Sequence, residues 1–196
     1  MVRLALTGGI ATGKSGVLRL LQARAIPTID SDVLAREVVA PGTEGLRAVV
    51  GRFGTGVLDH DGALNRRALA ATVFADAKAR ADLEAIVHPA VYSGIRRWLE
   101  SLPPETPLAV ADIPLLYETG HQGDFDRVLV VACPPGEQLR RVMARDGASE
   151  AEARARLAAQ WPIADKAARA DDVIWTTGTH EETARQVDGL IRKLTR

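Results

Sequence analysis

The sequence predicts an α/β fold, a parallel five-stranded sheet flanked by helices, with one long helical insertion and one shorter helical excursion. Three observations predict it. Short apolar runs alternate with longer amphipathic stretches, the pattern of strands covered by helices. The runs are mostly continuous rather than alternating in polarity, as strands buried on both faces are. The gap between the second and third runs is far longer than a strand–helix–strand crossover, which needs about thirty residues in all.

Taken in order, Val2–Thr7 is the first strand, followed by a helix over Lys14–Arg24 with Val17, Leu18, Leu20 and Leu21 on its apolar face. Ala25–Ile29 is the second strand. Helices are predicted next at Asp32–Val39, Thr43–Phe53, Asn65–Phe74 and Lys78–Ser101, so residues 31–107 form a helical insertion. The proline-rich stretch Pro103-Pro104-Glu105-Thr106-Pro107 returns the chain to the sheet. Strands resume at Leu108–Ala111 and Arg127–Ala132. The second excursion, residues 136–162, holds most of the helices Pro135–Arg145 and Ser149–Gln160 and carries Arg140, Arg141, Arg145, Arg154 and Arg156. A last strand, Val173–Trp175, and a helix, Glu181–Leu194, complete a single domain over residues 1–196.

The 25 basic and 25 acidic residues balance, which argues against a general nucleic-acid or membrane partner and leaves room only for a local basic groove. No apolar run is long enough to span a bilayer, and the first apolar run is too short for a secretory signal. A cytoplasmic, monomeric protein is the expectation. Cys133 is the single cysteine, so a disulfide within the chain and a cysteine-based zinc site are excluded, and a small buried hydrophobe is expected there. Trp98, Trp161 and Trp175 are expected as core or subdomain anchors.

Gly8-Gly9-Ile10-Ala11-Thr12-Gly13-Lys14-Ser15 fits the phosphate-loop pattern G-x-x-x-x-G-K-[ST] in full, after a strand and before a helix. Glycines let backbone N–H groups turn inward around a phosphate, and the following helix presents its positive end. Lys14 is expected on the β- and γ-phosphates and the Ser15 hydroxyl on Mg²⁺. No Asn-Lys-x-Asp guanine reader occurs, and Asp59-x-x-Gly62 lies inside the insertion, so a GTPase switch is disfavoured. A small-molecule kinase with an acceptor flap and a lid that excludes water fits better. Asp30-Ser31-Asp32 ends the second strand, where open α/β sheets bind ligands. One of these carboxylates suits proton acceptance from the acceptor hydroxyl and one a metal-bound water, while Ser31 or Asp32 also suits a helix cap.

From these residues the sequence resembles the dephospho-CoA kinase family along nearly its whole length. The resemblance is carried by Leu6–Ile10 with Gly13-Lys14-Ser15, Asp30–Val39, Asn65–Leu69 with Val73-Phe74, and Leu83–Pro89. It continues through Ile113–Glu118, Gln138–Arg141 with Arg145-Asp146, Gln160, and Ala170–Ile174. It implies a P-loop kinase that moves the γ-phosphoryl of ATP onto the ribose 3′-hydroxyl of dephospho-CoA, giving CoA and ADP with Mg²⁺. It also implies a CoA-binding role for residues 31–107 and a lid role for 136–162.

The resemblance implies residue roles. Gly8, Ala11, Thr12, Gly13, Lys14, Ser15 and Gly16 hold the nucleotide, with Arg145. Asp32 is the base and Asp30 the metal-side carboxylate alongside Ser15, with exchange between the two left open. Lys14 and Arg141 act on the transferring phosphoryl, Arg141 and Arg145 lying four apart on one helical face. Arg36, Arg66 and His88 contact the acceptor or pack the insertion, His88 preceding Pro89 at an expected helix break. Glu118 and Asp112 complete the acceptor pocket or the metal shell. Two departures matter. Gly16 stands where the family usually has Thr, which predicts weaker ATP binding, and Trp175-Thr176-Thr177-Gly178 replaces an Asn-containing turn near the purine. The alternatives are another P-loop kinase and a module that clamps ATP without transfer.

Overall fold

The structure, a computed structural model, describes residues 1–195. The chain runs β1 (Val2–Gly8), α1 (Lys14–Gln22), β2 (Thr28–Asp30), α2 (Ser31–Val38), α3 (Glu44–Phe53), α4 (Arg66–Ala75) and α5 (Ala77–Ser101). It continues through β3 (Leu108–Asp112), β4 (Arg127–Ala132), α6 (Pro135–Asp146), α7 (Glu150–Ala158), α8 (Ile163–Arg169), β5 (Asp172–Trp175) and α9 (His180–Leu194). Two compact units result. One is Met1–Ile29 with Leu102–Arg196, and the other is Asp30–Ser101.

The first unit is built on the five-stranded sheet, in the order β2-β3-β1-β4-β5. β1 is central and parallel to both neighbours, with Leu6 opposite Asp112 on one side and Leu129 on the other. Such a strand is covered on both faces, which is why Leu4, Ala5 and Leu6 are all fully buried in succession. α1 buries Val17, Leu20 and Leu21, spaced to share one face, and α9 buries Val187 and Leu190. These join Leu108, Val110, Leu129, Val131 and Ile174 in one core. Arg24, just past the end of α1, pairs with Asp188 of α9. At the sheet's β5 edge, the Gln186 side chain accepts from Trp175 N–H at 3.0 Å and donates to Trp175 C=O at 2.8 Å. That closes one edge position to foreign strands.

The second unit is helical. Thr43 and Asn65 cap α3 and α4 through their side chains, accepting from Leu46 N–H and Ala68 N–H. Its core is Val39, Val49, Val57 and Leu69, with Phe53, Leu83, Ile86 and Val87 packed against them.

Several boundaries differ from expectation for local reasons. β2 begins at Thr28 rather than Ala25, because Ala25 takes a left-handed conformation (φ 57°) in the turn that ends α1. Ala25 N–H and Ile26 N–H close that turn on Gln22 and Leu21 carbonyls. β3 extends one residue to include Asp112. α8 was not anticipated, since seven residues give too little periodicity to read. α5 runs unbroken through Pro89, so the helix break expected at His88 does not occur. Trp175 is 47% exposed and is no core anchor, whereas Cys133 is buried as expected.

Leu129 is fully enclosed in the central core, so Leu129→Ala should cost about 2–5 kcal/mol. Urea unfolding checks this, and a midpoint unchanged from the parent would contradict the assigned core.

Candidate active site

The loop between β1 and α1 is the centre of the site, and its backbone explains its glycines. At Gly8 a Cβ would stand 2.8 Å from the Val131 carbonyl oxygen, backbone that cannot move aside. Gly13 caps α1 with φ 89°, a left-handed conformation that favours glycine, and there a Cβ would press on Thr176 at 3.2–3.3 Å. Ala11 is also left-handed (φ 58°), a non-glycine strain of about 1–3 kcal/mol that the surrounding hydrogen bonds sustain. Gly16 differs from these. Nothing lies within 4 Å of a Cβ added there.

Side chains from later in the chain hold the loop. Gln160 Oε1 accepts from Ile10 N–H at 2.9 Å, and Gln138 Nε2 donates to Ile10 C=O at 2.9 Å. The Thr176 hydroxyl donates to Thr12 C=O at 2.6 Å and accepts from Arg141 Nη1 at 3.0 Å. Thr12 in turn donates its hydroxyl to Gly9 C=O. Lys166, fully buried in α8, reaches Gly8 C=O at 3.2 Å.

Lys14 forms an ion pair with Asp112, the last residue of β3. Both side chains are largely removed from solvent, so the pair is screened little by water. Ser15 is exposed in the first turn of α1. Loop amides, a helix N-terminus and a lysine therefore converge, and such an arrangement takes anionic phosphate. The donors suited to a hard cation are one hydroxyl and separate carboxylates. Among the described residues no group of three or more His, Cys, Asp or Glu side chains is placed to hold a metal. This set fits Mg²⁺ held jointly with substrate phosphates, and does not make a cage for an ion alone.

The two expected arginines have different partners. Arg141 gives Nε to Glu137 at 2.6 Å and Nη2 to Thr176 C=O at 2.7 Å, alongside its contact with the Thr176 hydroxyl. Arg145 pairs with Asp146 and is exposed on α6. Glu118 Oε1 pairs with the Lys166 ammonium at 2.7 Å and accepts from Trp161 N–H at 3.0 Å. Trp161 stacks on Tyr117 at 6.0 Å, and the Arg169 guanidinium lies 4.7 Å over its ring.

The remaining expected residues belong to the second unit. Asp30 caps α2, its Oδ1 accepting from Asp32 N–H at 2.7 Å and Val33 N–H at 3.3 Å. The cap is therefore Asp30, not Ser31 or Asp32, and the Asp32 carboxylate projects from the first helical turn as an exposed group. Arg36 is exposed in the last turn of α2. Arg66 is exposed at the first residue of α4, an end of the helix where the dipole disfavours a cation. His88 is half-buried within α5. Sequence reasoning did not assign the Lys14–Asp112 pairing, the loop contacts of Gln138, Gln160 and Thr176, or Lys166 at all. Gln138 and Gln160 carry the family resemblance in the sequence, but nothing near them there points to the loop.

Comparison with known proteins gives consistent matches. The family model described as dephospho-CoA kinase matches residues 2–182. The dephospho-CoA kinase of Anaeromyxobacter dehalogenans is 50% identical over 192 residues, covering 97% of this chain and 91% of that protein. That of Geobacillus kaustophilus is 46% identical over 191 residues, covering 97% and 95%. Among solved structures, dephospho-CoA kinase from Campylobacter jejuni superposes with a TM-score of 0.76 at 26% identity, covering 98% of this chain and 96% of that one.

The Glu137 carboxyl is lowered from 4.5 to about 2, first by its hydrogen bonds from Arg140 and then by those from Arg141. Because its folded value lies below the unfolded one, its contribution to stability is complete above pH 4.5 and lost as pH falls towards 2. Carboxyl-carbon NMR should place the Glu137 midpoint near 2, and a midpoint near 4.5 would show that the arginines do not hold it.

Proposed function

The chain belongs to the dephospho-CoA kinase family, and we infer from this that it transfers the γ-phosphoryl of ATP to the ribose 3′-hydroxyl of dephospho-CoA. The products are CoA and ADP, and the step is the last of CoA synthesis. The structural observation that supports this most directly is the phosphate loop, whose lysine is held in place by Asp112.

Phosphoryl transfer asks chiefly for positioning and for charge neutralisation in a dry site. The loop amides and the N-terminal end of α1 hold the β-phosphate, and Lys14 exchanges its ion pair with Asp112 for the γ-phosphate as ATP enters. Mg²⁺, when bound, neutralises charge shared between the β- and γ-phosphates. Ser15 would hold it, with a carboxylate from Asp112 or Asp30. Asp30 spends one oxygen on capping α2, so Asp32 is the freer carboxylate and the better proton acceptor for the 3′-hydroxyl. Arg36, Arg66 and His88 serve the acceptor, whose phosphates suit the cationic start of α4. Arg141 and Arg145, on the proposed lid over 136–162, reach the phosphoryl after leaving Thr176 and Asp146. Cytoplasmic placement and a monomeric form belong to this reading, which the buried free thiol of Cys133 suits.

ADP release with Mg-ATP, compared across dephospho-CoA, adenosine, AMP and no acceptor, tests the reading. Release that depends on dephospho-CoA, with one phosphoryl added by mass, is expected, and release with adenosine or AMP instead would overturn it. Lys14→Ala should reduce transfer about 10²-fold or more. Gly16→Thr, entering open space, should tighten ATP binding by about five-fold, the worth of one added hydrogen bond. Unchanged affinity in calorimetry would show that the missing hydroxyl does not matter here.

A further inference from the structure

Lys166 has no place in the chemistry just described, yet among the described residues it is the largest fully buried side chain. Burial pushes its ammonium pKa down, opposed by the hydrogen bond to Glu118. A buried cation is retained only with good partners, and Lys166 has three. Its Nζ donates to Gly8 C=O at 3.2 Å and to Pro114 C=O at 3.2 Å, and pairs with Glu118 Oε1 at 2.7 Å. The Thr7 hydroxyl also donates to Pro114 C=O, at 3.0 Å. One ammonium thus joins the end of β1 to the segment after β3.

The identity of the held carbonyl gives this contact a use. Gly8 C=O belongs to the peptide linking Gly8 to Gly9. A peptide between two glycines has the weakest steric barriers to rotating as a unit, because neither flanking residue has a Cβ. In a planar trans peptide the C=O and N–H point in opposite directions. Fixing Gly8 C=O on Lys166 therefore fixes the direction of Gly9 N–H, one of the loop's amides. Neighbouring loop atoms, Ile10 N–H and Ile10 C=O, are held separately by Gln160 and Gln138.

We propose that Lys166 is a positioning residue that locks the Gly8–Gly9 peptide in its phosphate-binding orientation, with Glu118 holding Lys166 in place. The proposal rests on the reading of the loop as the nucleotide site. Glu118 then serves the nucleotide side through Lys166.

The test uses Lys166→Met, which keeps length and volume, and the double variant Lys166→Met with Glu118→Gln, which leaves no unpaired buried charge. Affinity for ATP alone is measured by calorimetry, KM for each substrate by steady-state kinetics, and stability by thermal unfolding. The double variant is expected to fold and to lose about ten-fold in ATP affinity, and Lys166→Met, which leaves Glu118 in place, to keep its KM for dephospho-CoA. The Gly9 amide resonance should broaden or double in the variant as the peptide samples two orientations. Parental ATP affinity and a single sharp Gly9 resonance in the folded double variant would overturn the proposal, even with a lowered Tm. A parent enzyme that binds ATP and fails to phosphorylate dephospho-CoA would overturn the functional reading instead, and the ATP affinities would still decide the role of Lys166.

Discussion

A loop built to receive phosphate is a concentration of positive potential, and before the phosphate arrives that potential opposes itself. The loop amides, the N-terminal end of α1 and the Lys14 ammonium all carry the same sign in one small volume. Asp112 supplies the opposite charge. It can do so because β3 extends to residue 112 and is in register with β1, which puts Asp112 opposite Leu6, two residues before the loop begins. The Ile113 N–H bond to Leu6 C=O at 2.8 Å fixes that register at the end of the ladder. The parallel pairing of β1 with β3 is thus what holds the lysine close and nearly dry while it waits.

The rest of the first unit stiffens the same loop from the other side. Its backbone contacts come from α6 through Gln138, from the residue before Trp161 through Gln160, from α8 through Lys166 and from the turn after β5 through Thr176. Thr176 is doubly placed, touching both the loop and Arg141. Movement of α6 that withdraws Arg141 therefore acts on the same hydroxyl that secures Thr12. In this chain the residue after β5 is a component of the phosphate loop's support, and glycine at position 13 permits its close approach.

Strands and helices were legible in the sequence wherever burial gives a period. Val2–Gly8, Arg127–Ala132 and the face of α1 show continuous or helical apolar spacing, and the loop's full motif marks its place between them. What stayed illegible was pairing across long sequence distance. Lys166 is 158 residues from Gly8, and a lone lysine in an Ala-rich stretch reads as solvent-facing. The capping role of Asp30 was missed because Asp30, Ser31 and Asp32 are all good cap residues, and only the backbone angles choose between them. The apolar run from Ala25 reads as strand before β2 begins at Thr28, because the left-handed turn at Ala25 has no glycine to announce it.

The interleaving of the two units also sets an order of events during synthesis. Asp30–Ser101 is one continuous stretch whose core partners are all present once residue 101 has left the ribosome. β1 is made before both of its neighbours, β3 and β4, so its ladder stays open until residue 132 is available. β1 and the loop that follows it are thus enclosed only after the second unit has been made. During that interval Val2–Leu6 is an apolar strand with two unpaired edges, the kind of segment that nascent-chain chaperones shield.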